Sequence, residues 1–377
     1  MKYFLIAGEA SGDLHGAELI KSLQERDAEA ECRFLGGDLM AAAAGTAPLV
    51  HYRDMAYMGF IEVARHLRTI LGFMRTAKDA ITQWRPDAVV LIDYPSFNLK
   101  VARHAHTLGI PVIYFISPKV WVWKEWRVKD IKRYVDEMCC ILPFEPEFYR
   151  RHDYRATYVG NPTMSEIRRA TATMPSRDEF CTAHGLDAAR PIIALVPGSR
   201  AKEIRDNLPT MVAAAGRHTS CQMALAVAPG MDRHIYDHVL GSAPVTLVEG
   251  ATWELVHHAR AALVTSGTAT LETAMLATPQ VACYRMNGKK WLYNFYRRLL
   301  KGKYVTLPNL IANAPIIPEL LLHQCTPTTI DRHLTQLLDD GPQRQAQLDG
   351  YRQMATLLGN QNCTAQTAER IANLLKQ

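Results

Sequence analysis

The sequence predicts an α/β protein of two Rossmann-like domains facing across a cleft. Two observations carry that reading. Short apolar, β-branched runs alternate with stretches of helical periodicity along both halves of the chain, and this rhythm breaks once, at a polar stretch near the middle. A chain of 377 residues is also long for a single core, which agrees with two domains.

Taken in order, "YFLIA" (3–7) reads as a first strand, followed by a helix from about residue 13. "DAVVLID" (87–93), a helix over 99–107 and "IPVIYFI" (110–116) continue the pattern. Continuous apolar runs suit strands buried on both faces, and helices between them imply parallel pairing by right-handed crossovers. "TMSEIRRATATMPSRDEF" (163–180) is polar and reads as an interdomain linker leading into a small helix. The rhythm restarts with "RPIIALVPGSR" (190–200), "CQMALAVAP" (221–229), "PVTLVEG" (244–250), "ARAALVTSG" (259–267) and "PQVACYRM" (279–286). A plain amphipathic helix is expected from about residue 349. These readings divide the chain into 1–163, 164–345 and a carboxyl-terminal helix in 346–377 that packs back on an amino-terminal domain. In doubly wound sheets ligands lie beyond the carboxyl ends of the strands, so the cleft is the expected site.

Apolar residues make up 48% and charged residues 21%, the balance of a soluble globular chain. Lys+Arg exceed Asp+Glu by 43 to 37, a net +6. That excess is too weak to argue for nucleic acid, but suits an anionic surface or phosphorylated substrates. Eight scattered cysteines without a Cys-x-x-Cys read as reduced core residues of a cytoplasmic protein. The first apolar run is about half the length of a signal peptide's apolar core, and no run approaches the ~18 residues of a span, so membrane contact must be peripheral.

"AGEASGDLHGAEL" (7–19) follows the first strand, but its Gly8, Gly12, Gly16 spacing is not that of a dinucleotide loop. Spacing alone leaves its ligand open. "VTSGTATLETAML" (264–276) stops a strand at Ser266-Gly267 and starts a helix at Thr268 or the next residue, with Glu272 expected in its first turn. Free N–H groups there suit a diphosphate, and Glu272 suits two ribose hydroxyls; the alternative is ordinary capping by Thr268. "LVPGSRAKEI" (195–204) repeats the logic, with Ser199 as a cap and the Arg200 fork available to phosphate oxygens. Asp93, ending a buried strand, is placed to abstract a proton, the alternative being a helix cap.

Residues 117–133 interleave three of the six tryptophans with Lys and Arg, a mixture suited to lipid, sugar or packing under a loop. "FIEVARHLRTILGFM" (60–74) presents an apolar stripe of Phe60, Val63, Ala64, Leu67, Ile70, Leu71 and Met74, with Ile61 and Phe73 off it and arginines flanking it. Such a helix either covers its own sheet, the commoner use, or lies on a membrane. Residues 289–303 form a second basic, aromatic stretch. His234 and His238 are four apart, but Ile235 stands where a zinc protease needs Glu, and no Asp-x-Asp occurs, so no metal site is predicted.

Together "AGEASGD", "MGFIEV", "IDYPSFN", "SPKVWVWK", "LPFE", "VGNP", "PGSR", "SGTATLE" and "LPNL" resemble, in order and spacing, the lipid-A-disaccharide synthase family over residues 7 to 310. The resemblance implies a metal-independent, inverting glycosyltransferase of the two-domain B type (GT-B), without a cofactor. Its donor would be UDP-2,3-diacylglucosamine and its acceptor 2,3-diacylglucosamine 1-phosphate. The product would be the β-1,6-linked lipid A disaccharide 1-phosphate. It implies a cytoplasmic protein, peripheral on the inner membrane, of Gram-negative lipopolysaccharide synthesis, and leaves open a homodimer and which chain's domain receives the last helix. Asp93 matches the family's base; Ser199, Arg200, Ser266, Gly267, Thr268, Glu272 and Asn309 match donor-site positions. The resemblance also implies that the loop at 7–19 edges the sugar-transfer cleft, with Ser11, Gly12 and the helix N-terminus facing the donor diphosphate or the acceptor's 1-phosphate. Glu9 and Asp13 are then secondary candidates for sugar hydroxyls, Asp13 also suiting a cap of its own helix. Because both substrates carry acyl chains, the helix over 60–74 is then expected to meet the membrane or those chains. Ser96 stands where some members carry a second Asp, and Asn161 where His is common. Rival readings are a UDP-sugar 2-epimerase of the same fold and a non-catalytic nucleotide-sugar-binding protein.

Overall fold

A computed structural model describes residues 1–55, 67–285 and 303–376. The chain forms two compact units, Met1–Pro162 with Asn360–Gln377, and Thr163–Gly359.

The first unit holds seven strands: β1 Lys2–Ala7, β2 Glu31–Gly36, β3 Val50–His51, β4 Ala88–Ile92, β5 Val112–Phe115, β6 Glu137–Cys140 and β7 Thr157–Tyr158. They pair in parallel in the order β3-β2-β1-β4-β5-β6-β7. Side chains alternate between faces, so β1 sends Phe4 and Ile6 into one core layer and Leu5 and Ala7 into the other. β4 divides in the same way, Val89 and Leu91 against Val90 and Ile92. Burial on both faces is why these strands read as unbroken apolar runs.

The second unit repeats the plan with β8 Ile192–Val196, β9 Gln222–Val227, β10 Val245–Glu249, β11 Ala261–Thr265, β12 Gln280–Tyr284 and β13 Glu319–Leu321. All are parallel, in the order β10-β9-β8-β11-β12-β13.

In each sheet the strand order reverses once, between β1 and β4 in the first unit and between β8 and β11 in the second. Connections leave such a pair toward opposite faces, which opens a crevice beyond its carboxyl ends.

Three expectations change. Residues 163–180 are not a linker: they contribute helix Pro162–Thr171 and helix Arg177–His184, whose Ser176/Glu179 capping box explains the polar composition. The expected single terminal helix is two, Pro342–Leu358 and Cys363–Leu374, broken at Gly359. The first stays with the second unit, where Tyr351 donates to the Thr278 carbonyl and Gln347 bonds the Gln280 backbone on both sides, so the change of unit falls at residue 360 rather than 346. The second buries Ala368 and Ile371 in the core layer of Leu19, Ile20 and Leu23. Arg370 anchors it through a bidentate pair with Glu137, at 2.9 and 3.2 Å.

The helix expected over 60–74 is described from Leu67 to Trp84. Phe60, Val63 and the Leu67 side chain lie outside the described residues, as do 289–302 of the second basic stretch. Of the expected outward stripe, Met74 is buried and Ile70 half-buried, both against the unit's own sheet. Phe73, expected off that stripe, packs beside them. Ala77 and Ile81, fully buried below, set this face, because they continue the helical spacing past the stretch that defined the stripe. Leu71 points the other way and is 51% exposed, between exposed Arg68 and Arg75. All eight cysteines are buried, and none is in a disulfide.

Candidate active site

The crevice of the first unit begins where β1 runs into helix Ala10–Gln24. The three glycines of this turn serve packing. A Cβ on Gly8 would meet the Tyr94 ring at 2.4 Å, and one on Gly16 the Met40 sulfur at 2.6 Å. Glu9 is the N-cap residue in extended backbone, no side chain caps the helix, and Glu9 and Ser11 are exposed while Gly12 is buried. Asp13 is neither an open sugar ligand nor a cap of its own helix. It is 2% exposed, and its Oδ1 accepts from Gly37 N and Met40 N and its Oδ2 from Leu39 N, at 2.7, 3.1 and 3.1 Å. Its carboxylate therefore caps the next helix, Asp38–Ala44, a contact that local sequence could not reveal.

Across the same crevice β4 ends at Ile92, paired with Ala7 of β1. Asp93 and Tyr94 follow with φ of 44° and 48°, two successive left-handed residues that are not glycine. Such backbone is costly and persists where neighbours over-determine it. Here the Asp93 carbonyl accepts from Asn98 Nδ2 at 2.7 Å and from the buried Tyr114 hydroxyl at 2.5 Å, while its N–H donates to Phe115 O at 3.2 Å. Helix Pro95–Thr107 is entered through Tyr94 without a side-chain cap, so the alternative role of Asp93 as a cap is not the one taken. Asn98 and Tyr114 were not anticipated as site residues, although Asn98 closes the "IDYPSFN" motif. Their action on a backbone carbonyl has no sequence signature.

Asp93 is exposed to solvent at the end of its strand, yet enough protein surrounds its carboxyl to strip part of its hydration. Loss of hydration, helped by the Glu9 charge, pushes its carboxyl up to about 6, against the opposing pull of Lys119, the Tyr94 backbone N–H and His15. A carboxylate so placed stays mostly ionised at neutral pH yet binds a proton more strongly than an ordinary aspartate. Ser96, at the departure from the family pattern, accepts from Arg127 Nη2 at 2.8 Å, and buried Asn161 donates to the Ile141 carbonyl at 3.0 Å.

In the second unit β8 and β11 are adjacent, with Val196 opposite Val264, so the turns that follow them stand side by side. After β8, Gly198 has φ of 105° and faces Glu203 so closely that a Cβ would lie 2.5 Å from its Oε2. Only glycine suits that turn. Arg200, not Ser199, is the N-cap residue of helix Ala201–Ala215 and its side chain does not cap. The Arg200 guanidinium is exposed and meets Glu203 Oε1 at 3.1 Å. After β11, Gly267 is the N-cap residue of helix Thr268–Met275. Among the described residues, no atom beyond its chain neighbours lies within 4 Å of where its Cβ would be, so they leave the helix N-terminus open. Ser266 is half-buried, Thr268 is exposed and is the first helical residue, and the buried Thr265 hydroxyl has no partner among the described residues.

The helix starts at Thr268 as expected, but Glu272 falls just past its first turn, and its Oε2 accepts from Trp253 Nε1 at 3.0 Å. Burial raises its carboxyl above the usual range against that bond. Trp253 is 19 positions away on helix Thr252–His258, beyond any local pattern. Asn309, expected at the donor site, has its amide committed to protein partners. It is 1% exposed, its Oδ1 accepts from Ile317 N, and its Nδ2 donates to Ile317 O and Glu319 Oε1. It ties the start of its helix to the segment entering β13.

A sequence model of the family described as lipid-A-disaccharide synthetase matches residues 3–372. This chain belongs to the lipid-A-disaccharide synthase family. Among its relatives, the lipid-A-disaccharide synthase of Acidobacterium capsulatum is 38% identical over 96% of this chain and 93% of that protein. That of Myxococcus xanthus is 37% identical over 99% and 97%. Solved structures similar in fold include the Neisseria meningitidis UDP-GlcNAc 2-epimerase bound to UDP-GlcNAc (TM-score 0.66, 14% identity, all of both chains). The calicheamicin glycosyltransferase CalG4 is another (TM-score 0.58, 16% identity, 100% of this chain and 98% of that one). At these identities the likeness carries the two-domain glycosyltransferase fold, which epimerases share, while the family match carries the enzyme class. The family member described here thus has the α/β GT-B fold and is a UDP-sugar-dependent glycosyltransferase of lipid A synthesis.

Proposed function

We infer that the chain transfers 2,3-diacylglucosamine from UDP-2,3-diacylglucosamine to the 6-hydroxyl of 2,3-diacylglucosamine 1-phosphate. The products are the β-1,6-linked disaccharide 1-phosphate and UDP. The observation that carries this reading is the position of the motif residues: in both sheets they stand at the carboxyl ends of the two strands flanking the point where strand order reverses.

Asp93 is the base. Its carboxylate takes the proton of the acceptor hydroxyl as that oxygen bonds the donor's anomeric carbon from the face opposite the diphosphate, which inverts the centre as the bond to UDP breaks. The open N-terminus of helix Thr268–Met275, with Ser266, Gly267 and Thr268, and the exposed Arg200 beside Ser199 receive the diphosphate and its developing charge. Glu272 accepts the ribose hydroxyls, and Asn309 is a positioning residue. Glu9, Ser11 and Gly12 line the crevice beside the base.

Purified protein supplied with both acylated sugars in detergent should release UDP and form disaccharide in equal amounts. Conversion of soluble UDP-N-acetylglucosamine without an acceptor would favour the epimerase reading instead.

Acylated substrates place the enzyme at the cytoplasmic face of the inner membrane, bound peripherally. Exposed Leu71 between Arg68 and Arg75 supports the outer face of helix Leu67–Trp84 as a contact. Leu71→Asp should lower the vesicle-bound fraction several-fold, the scale of one lost leucine insertion, without moving the melting temperature. Met74→Asp should unfold the unit. If both variants melt alike, helix Leu67–Trp84 serves the core alone.

A further inference from the structure

Glu9 and Asp93 are both carboxylates at the mouth of the first unit's crevice, and the charge of one acts on the other. A sugar phosphate entering there is repelled unless a cation meets its phosphate. If the 6-hydroxyl lies at Asp93, the phosphate on carbon 1 of the same ring falls one ring's width away. The cation must therefore stand close to the base.

The segment after β5 supplies cations. Lys124 and Arg127 lie over the rings of Trp123 and Trp126, at 4.7 and 5.7 Å, and Arg127 also bonds Ser96. Lys119 differs from both: its side chain makes no hydrogen bond or ion pair among the described residues, and it follows β5, whose last residue Phe115 pairs with Ile92 and accepts the Asp93 N–H, so it stands at the same end of the sheet as the base and its charge acts there. Its backbone is fixed. Ser117, Pro118 and Val120 are buried around it, the Ser117 hydroxyl is 2.8 Å from that of buried Tyr149, and Trp121 donates to buried Glu145 at 3.1 Å. A free ammonium on a clamped segment is pre-organised to receive an anion.

We propose that Lys119 is the subsite that binds the phosphate of the acceptor sugar and selects the phosphorylated acceptor. The proposal rests on the transferase reading above and deepens it by assigning the group that recognises the acceptor's charge.

Wild type, Lys119→Ala and Lys119→Arg are compared at about pH 8, where Asp93 is ionised in all three. The acceptors are 2,3-diacylglucosamine 1-phosphate and the same sugar without phosphate, in detergent. Lys119→Ala should lose about tenfold or more in kcat/KM for the phosphorylated acceptor, the effect of one charge-assisted hydrogen bond. It should change little for the other acceptor and leave the donor KM and the melting temperature unaltered. Lys119→Arg should recover most of the loss. Equal losses on both acceptors would mean that the lysine acts through Asp93, and a raised donor KM that it meets the UDP diphosphate; either overturns the proposal, as does no change. If wild type forms no disaccharide, the transferase reading fails. Equilibrium binding of the acceptor monophosphate then decides the subsite, weaker binding to Lys119→Ala supporting it and equal binding overturning it.

Discussion

Replacing Asp93 by alanine is expected to lower kcat by about 10²–10⁴-fold, the range spanned by a single general base. Binding of UDP should be unchanged, because every residue assigned to the donor belongs to the second unit. The loss should sit in kcat rather than in either KM, since the carboxylate acts on a proton that moves only as the bond forms. In wild type, activity should fall as pH drops through about 6, where the carboxyl takes up its proton. The slope should correspond to one proton. The same shift has a consequence for stability. An acid whose folded pKa is raised stabilises the fold fully below its unfolded pKa, and that contribution disappears as pH rises through the folded value. Asp93→Asn, which keeps the shape and removes the charge, should therefore be inactive and melt higher than wild type at pH 7, with the gap closing toward pH 4. Retained transfer would remove Asp93 from the role of base, and a variant that melts lower at neutral pH would remove the raised carboxyl as the reason for its basicity.

That pair of outcomes tests something the sequence only half discloses. Asp93 was recognisable because a strand buried on both faces must end in a residue that meets solvent, and "VVLIDYPSFN" marks the end plainly. What makes the residue a base is less local. Glu9 raises its affinity for protons from 84 positions away, and Tyr114 on β5 clamps its backbone. The same division runs through the fold. The central strands β1, β4, β5, β8, β9 and β11 announce themselves by continuous burial. β3, β7 and β13 have two or three residues each and are held by their neighbours' hydrogen bonds rather than by their own pattern. Two acidic and amide residues show the converse error. Asp13 and Asn309 occupy motif positions and look like ligands in sequence, yet Asp13 spends its carboxylate on three backbone N–H groups and Asn309 its amide on Ile317 and Glu319. A polar residue in a motif holds either the ligand or the loop that holds the ligand, and only its partners distinguish the two.

Glu272 tests the donor half of that distinction, because its carboxylate is divided between the two uses. One oxygen is held by Trp253 at 3.0 Å, which fixes the side chain's direction and leaves the other oxygen for hydroxyls. Glu272→Ala should weaken UDP binding by about 10–100-fold, the loss of one hydrogen bond to a charged group. Transfer by the saturated enzyme should keep most of its kcat, since the ribose lies far from the bond that changes. Trp253→Phe preserves the ring and removes only the indole N–H. It should weaken UDP binding by a smaller factor, and the double variant should be no worse than Glu272→Ala alone, because the tryptophan acts through the carboxylate it orients. Glu272→Gln completes the argument. Its amide oxygen still accepts from a hydroxyl or from Trp253, but the charge is gone, so binding should fall between wild type and alanine. Additive losses in the double variant would mean that Trp253 touches the nucleotide itself. Unchanged binding in all three would leave Glu272 as a packing residue, with the diphosphate held by the helix N-terminus and Arg200 alone.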